Sequence, residues 1–171
     1  LVAASDVSRV IVRIESGGGM VSGLDSTAKY MRKLMHNKSV VVHTDTAALS
    51  AAYWLASSFP RIAASPMAQI GNIGTMALIP DLSGMYDKMG VKFHLFKAGK
   101  HKGYGISETE FTEEEKAYFQ SHVEKSNNFF LTHVSTHRNL MMSETDKWAE
   151  AQSFFAGEAK AVGLVDEVAT L

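Results

Sequence analysis

Short β-branched runs alternate along this chain with stretches whose apolar residues recur at helical spacing. Val10–Ile14 (V-I-V-R-I) predicts a strand that ends in the punctuation E-S-G-G-G at Glu15–Gly19. Residues 23–36 then carry Leu24, Ala28, Met31 and Met35 on one helical face. Ser39–His43 predicts a second strand, and Ser50–Ser58 a small-residue helix that Pro60 stops. Arg61–Ala64 predicts a short strand leading into the loop S-P-M-A-Q-I-G-N-I-G-T, followed by an apolar run to Ile79. A helix is expected over Asp81–Met89 and a strand over Val91–Lys97, where apolar and polar residues alternate. Ala98–Glu110 is polar, glycine-rich and aperiodic. The longest helical pattern runs from Thr112 to about Arg138 and opens with a Thr112/Glu115 capping box. A short helix near 143–150 and a strand at Leu164–Val168 complete the pattern.

Strands separated by helices imply βαβ crossovers, so the expected class is α/β with a mostly parallel sheet. With 171 residues, the chain is expected to form a single domain over 1–171, its tail strand packing back on the same core. Charges balance at 17 Lys+Arg against 18 Asp+Glu, which removes the basic footprint of a nucleic-acid binder. The absence of cysteine excludes disulfide scaffolds, thiolate zinc sites and cysteine nucleophiles. No apolar run approaches the ~18 residues of a membrane span. The start, L-V-A-A-S-D, does not read as an intact signal peptide and lacks Met, so the sequence is expected to be a core taken from a longer product.

Three segments can carry chemistry. Ser16–Gly19 (S-G-G-G) follows a strand and precedes a helix, and its glycines let backbone N–H groups converge on an anion. The phosphate fingerprints G-x-G-x-x-G and G-K-[ST] are missing, which leaves an oxyanion turn or a plain βα turn. Ser50, in T-A-A-L-S-A-A-Y-W-L-A, sits at a helix start beside the small residues Ala51 and Ala52, as a nucleophile or as an ordinary N-cap. A base for it could come from His43, from His101, or from Lys97, Lys100 or Lys102 in the loop K-A-G-K-H-K-G. A lysine serves as a base only when desolvation favours its neutral form. His133 and His137 have i, i+4 spacing but lack the H-E-x-x-H glutamate, and are expected on a solvated helix face.

In order, S-G-G-G-M-V-S-G, x-L-S-A-A-Y-W-L-A, S-P-x-A-x-I-G-N-I-G, K-A-G-K-H-K-G and the closing G-E-A-K-A-V-G-L-V-D-E resemble the signal peptide peptidase A family of serine peptidases. The resemblance covers nearly the whole chain. It implies a Clp/crotonase-like fold, a repeated ββα/βαβ spiral with a helical C-terminal region. It also implies that one or two strands precede Val10–Ile14 in the relatives.

Carried over position by position, it makes Ser50 the nucleophile and Lys102 the base of a Ser–Lys dyad. Gly18 or Gly19 would donate to the oxyanion with the Ala51 N–H as partner, and no metal or cofactor would be needed. Two positions depart from the family pattern. Gly17 stands where a proline is usual, and Asn72 stands at the serine that normally orients the lysine; an amide oxygen can still accept from Lys102. The resemblance further implies a homo-oligomer that cleaves extended peptides with small or apolar side chains. Signal-peptide remnants in a bacterial envelope, or scaffold protein in a phage procapsid, would qualify, and G-G-M-V-S-G resembles the phage branch. Membrane association would need a segment outside this chain. A crotonase-like acyl-CoA enzyme and a scaffold with a relic site remain the alternatives.

Overall fold

The computed structural model describes residues 6–171; the first five, which belong to the stretch compared above with a signal peptide, lie outside them. The chain divides into two compact units, one built from residues up to Thr75 together with Ser126–Leu171, the other from Met76–Lys125.

The first unit holds two sheets. β1 (Arg9–Arg13), β2 (Ser39–Thr44), β4 (Ile62–Ala64) and β7 (Glu167–Val168) form an all-parallel sheet in the order β1-β2-β4-β7. The tail strand thus packs back where the sequence placed it. β3 (Ala47–Leu49), β5 (Gln69–Gly71) and β6 (Ser153–Phe155) form a second sheet, with β3 and β5 parallel and β6 antiparallel. The chain passes from the first sheet into the second twice, from β2 to β3 and from β4 to β5, which is the repeat that the family resemblance implies.

Position in the sheet dictates composition. β2 and β4 lie between two neighbours and are buried along most of their length, so they read V-V-V-H-T and I-A-A; edge strand β1 alternates exposed and half-buried residues. Helix α1 (Leu24–Leu34) buries Ala28. Helix α2 (Ala51–Ser57) is buried almost all round, which is why it is built from alanine and aromatic residues. Its Tyr53 is fully buried and donates to the Leu164 carbonyl at 2.7 Å. Val42, Ile62, Ile70, Ile73, Trp148 and Leu164 are among the fully or almost fully buried residues of the same core. A 3₁₀ turn over Met142–Glu144, helix α5 (Thr145–Trp148) and helix α6 (Ala156–Ala161) complete this unit.

The second unit contains α3 (Ser83–Lys88) and the first half of α4 (Glu113–Arg138), whose second half belongs to the first unit. The capping box forms as read: Glu115 Oε2 accepts from the Thr112 N–H at 2.9 Å, and the Glu115 N–H donates to Thr112 Oγ1 at 3.2 Å. Val91–Lys97 corrects the sequence reading. The alternation is there, but the segment is exposed and pairs with no strand among the described residues, so it is not a β-strand.

Candidate active site

Ser50 is placed by three pieces of backbone. β3 runs directly into it, α2 begins at the next residue, and β5 ends alongside at Gly71, whose carbonyl accepts the Ser50 N–H at 2.8 Å. The serine backbone stands at φ 52°, ψ −125°, a conformation that costs a residue with a β-carbon about 1–3 kcal/mol and that clusters at functional sites. The side chain makes no capping bond to α2 and no other hydrogen bond among the described residues. The N-cap reading therefore fails. Strain that no cap offsets leaves the hydroxyl available at a sharp strand-to-helix turn.

The glycine turn lies against this serine. Ser16 continues onto β3, donating its N–H to Ala47 at 2.8 Å and accepting from the Leu49 N–H at 3.1 Å. Gly18 then adopts φ 113°, and a β-carbon there would meet Ser50 Cβ at 2.6 Å and Ser50 Oγ at 3.1 Å. Its N–H donates to Ser16 Oγ at 3.2 Å, whereas the N–H groups of Gly19 and Ala51 carry no hydrogen bond among the described residues. Gly19, Ser50 and Ala51 border a cleft with about 250 Å³ of empty space, open solvent at its mouth included, and walled by Leu24, Trp54 and Phe130.

Asn72 follows β5 at φ 51° and is anchored to the segment before β6: its backbone N–H donates to Gln152 at 2.6 Å and its Nδ2 to the Ala151 carbonyl at 3.3 Å. The amide is thereby oriented and its Oδ1 left as an acceptor. His43 is buried in β2, with Nε2 at 3.0 Å from the Ala169 carbonyl, and ties the chain end to the sheet.

Lys102 belongs to the second unit. It is exposed, on a turn where its backbone N–H donates to Gly99 at 3.2 Å. The loop around it is pinned to the start of α4 by a 2.6 Å Lys100–Glu114 ion pair and by the His101 ring, 5.1 Å from that of Tyr118. His101 is therefore held by ring contacts beside the lysine.

His133 and His137 depart from the sequence reading. They are half-buried rather than solvated: the His133 ring stacks on Trp54 at 4.2 Å, and His137 contacts Arg32 of α1. The face a helix buries depends on what packs against it, which i, i+4 spacing alone does not reveal.

Sequence reasoning missed Glu15. Its carboxylate receives the N–H groups of Asp45 and Thr46 at 2.8 and 2.9 Å, the Thr46 hydroxyl and Arg13 Nε, binding the β2–β3 corner to the segment that enters the glycine turn. Burial pushes this carboxyl up, but those donors outweigh it and hold it at about 2, below its ordinary value of 4.5. A depressed carboxyl stabilises the fold above its unfolded-state value and loses that contribution as the pH falls toward the folded-state value. Glu15→Gln is accordingly expected to lower stability at neutral pH by on the order of 1 kcal/mol, screening at this open site included. The difference from wild type should shrink between pH 4.5 and about 2 in urea unfolding followed across pH; a gap that is constant with pH would refute the role.

Comparison with known proteins places the chain in a family. The chain is 32% identical over 164 residues to "Putative protease MJ0651" of Methanocaldococcus jannaschii, covering 96% of this chain and 53% of that protein. It is also 32% identical over 168 residues to "Probable protease SohB" of Haemophilus influenzae, covering 98% and 47%. The chain spans about half the length of the curated relatives it matches. Residues 32–171, a stretch that includes Ser50, Asn72 and Lys102, match the model of peptidase family S49, and the chain belongs to that family.

Proposed function

We propose that this chain carries the catalytic centre of a serine endopeptidase. Ser50 Oγ attacks the scissile carbonyl carbon while neutral Lys102 takes its proton. The carbonyl oxygen becomes an oxyanion that accepts from the Gly19 and Ala51 N–H groups, with Gly18 shaping the turn between them. Collapse of the intermediate expels the amine, which leaves with the proton held by the lysine. Water, losing a proton to Lys102, then displaces Ser50 from the acyl group, and the lysine returns that proton to Ser50 Oγ. Asn72 Oδ1 serves as the acceptor that orients the lysine.

The observation that carries this reading is Ser50 itself, held in a strained turn with its hydroxyl unused and the glycine turn packed on it. The protease names of the relatives and the family match lend it weight. The apolar cleft beside Ser50 suits extended peptides with small or apolar side chains, a description that fits both signal-peptide remnants and scaffold segments of a phage capsid. Since Lys102 is exposed in the single chain, we assign its desolvation to bound substrate and to assembly into a homo-oligomer.

A fluorophosphonate probe tests the nucleophile. The folded protein should gain one adduct, mapped to Ser50 by peptide mass; a folded protein left unlabelled would end the proposal. The pH profile tests the base. Because Lys102 must be neutral to take a proton, cleavage should climb from acid toward mildly alkaline pH, and a flat profile down to pH 5 would exclude it.

A further inference from the structure

Trp54 is both a wall of the Ser50 cleft and a member of α2, the helix that starts immediately after the serine. Two residues of α4 hold it. Phe130 meets the indole at 5.2 Å and itself lines the cleft. His133, one turn further on, stacks nearly parallel on the indole at 4.2 Å and 16°, and it does not line the cleft. The same imidazole lies with Nε2 at 3.1 Å from both the Trp54 carbonyl and Ser58 Oγ. A carbonyl only accepts, so Nε2 carries the hydrogen and donates. Burial first, and the neighbouring His137 second, hold this imidazole down at about 4, so the donor is a neutral ring at working pH.

From this clamp we infer that His133 is a positioning residue for substrate selection: by fixing the Trp54 ring it sets the size of side chain that the Ser50 cleft admits next to the scissile bond. The inference rests on the serine peptidase reading above. Its physical basis is packing. With the imidazole removed, the indole gains space on the side His133 occupied, and the wall can yield to a larger side chain. Retaining a flat ring keeps the wall in place even without the Nε2 donor.

The test uses the full chain and three peptidyl aminocoumarins that differ only in the residue before the scissile bond: Ala, Leu or Phe. His133→Ala should raise kcat/KM for Phe relative to Ala by about threefold to tenfold, the range expected for losing one aromatic stack. His133→Phe should keep the wild-type ratio. Because a ratio of kcat/KM values does not depend on how much protein is folded, mere destabilisation cannot produce the shift. An unchanged ratio in His133→Ala, in protein that Ser50 labelling shows to be competent, overturns the inference and leaves the peptidase reading standing. If wild type shows no Ser50-dependent cleavage, both fall together.

Discussion

Ser50→Ala is expected to abolish peptide cleavage, by a factor of at least about 10³, while the folded protein melts within about 0.5 kcal/mol of wild type. The asymmetry follows from the site. Among the described residues Ser50 Oγ makes no hydrogen bond, so its removal breaks no polar contact there that stability needs. Ser50→Gly should separate the two roles further. Glycine adopts φ 52°, ψ −125° without the penalty that a β-carbon brings, so this variant should gain about 1 kcal/mol while being equally inactive. A residue whose loss stabilises the protein and ends its activity is one whose strain serves the reaction. The partner variant is Lys102→Ala, expected to be inactive and folded, because Lys102 is exposed. Lys102→Arg should not restore cleavage, since a guanidinium stays charged and cannot take the proton. Cleavage of casein or of a peptide ester reads all four, with circular dichroism confirming the fold. Appreciable turnover by Ser50→Ala would remove the serine from the mechanism, and turnover by Lys102→Arg would remove proton transfer to that side chain.

What the sequence disclosed here was local. Helix α1 and the N-terminus of α4 were legible because Leu24, Ala28 and Met31 repeat at helical spacing and Thr112 and Glu115 lie three apart, distances set by the helix itself. Ser50 stood out because the small residues Ala51 and Ala52 follow it at a helix start. The second sheet was not legible. β3, β5 and β6 are three residues each, and what makes A-A-L, Q-I-G and S-F-F strands is pairing with segments up to 86 positions away. Val91–Lys97 errs in the opposite direction, since V-K-F-H-L-F-K has the period of a strand but no ladder to join among the described residues. Glu15 escaped for the same reason, as its partners Asp45 and Thr46 come beside it only once the β2–β3 corner has formed. Leu24 was legible only as part of an apolar helical face, and it took the packed helices to show that it walls a cleft with Trp54 and Phe130.

The glycine turn yields the second large effect. Gly18→Ala is expected to cut kcat by roughly 10²–10³, the cost of losing one oxyanion contact, and to reduce fluorophosphonate labelling in parallel. At φ 113° the new β-carbon is in a region that essentially only glycine occupies, and it would stand 2.6 Å from Ser50 Cβ and 3.0 Å from the Leu49 carbonyl oxygen. Neither neighbour is the free end of a flexible side chain, so the turn itself has to move away from the serine, and the Gly19 N–H moves with it. Gly17 and Gly19 provide controls within the same four residues. Neither has a heavy atom within 4 Å of an added β-carbon, and neither has a positive φ in the range that strains an L residue. Gly17→Ala and Gly19→Ala should therefore retain activity within a fewfold of wild type, the backbone N–H of residue 19 persisting in both. Glycine at position 17, where the family resemblance leads one to expect proline, is then a tolerated departure, and glycine at 18 is a requirement. Comparable activity in all three alanine variants would show that the turn contributes no oxyanion donor, and the charge developing on the substrate would have to be met by Ala51 alone.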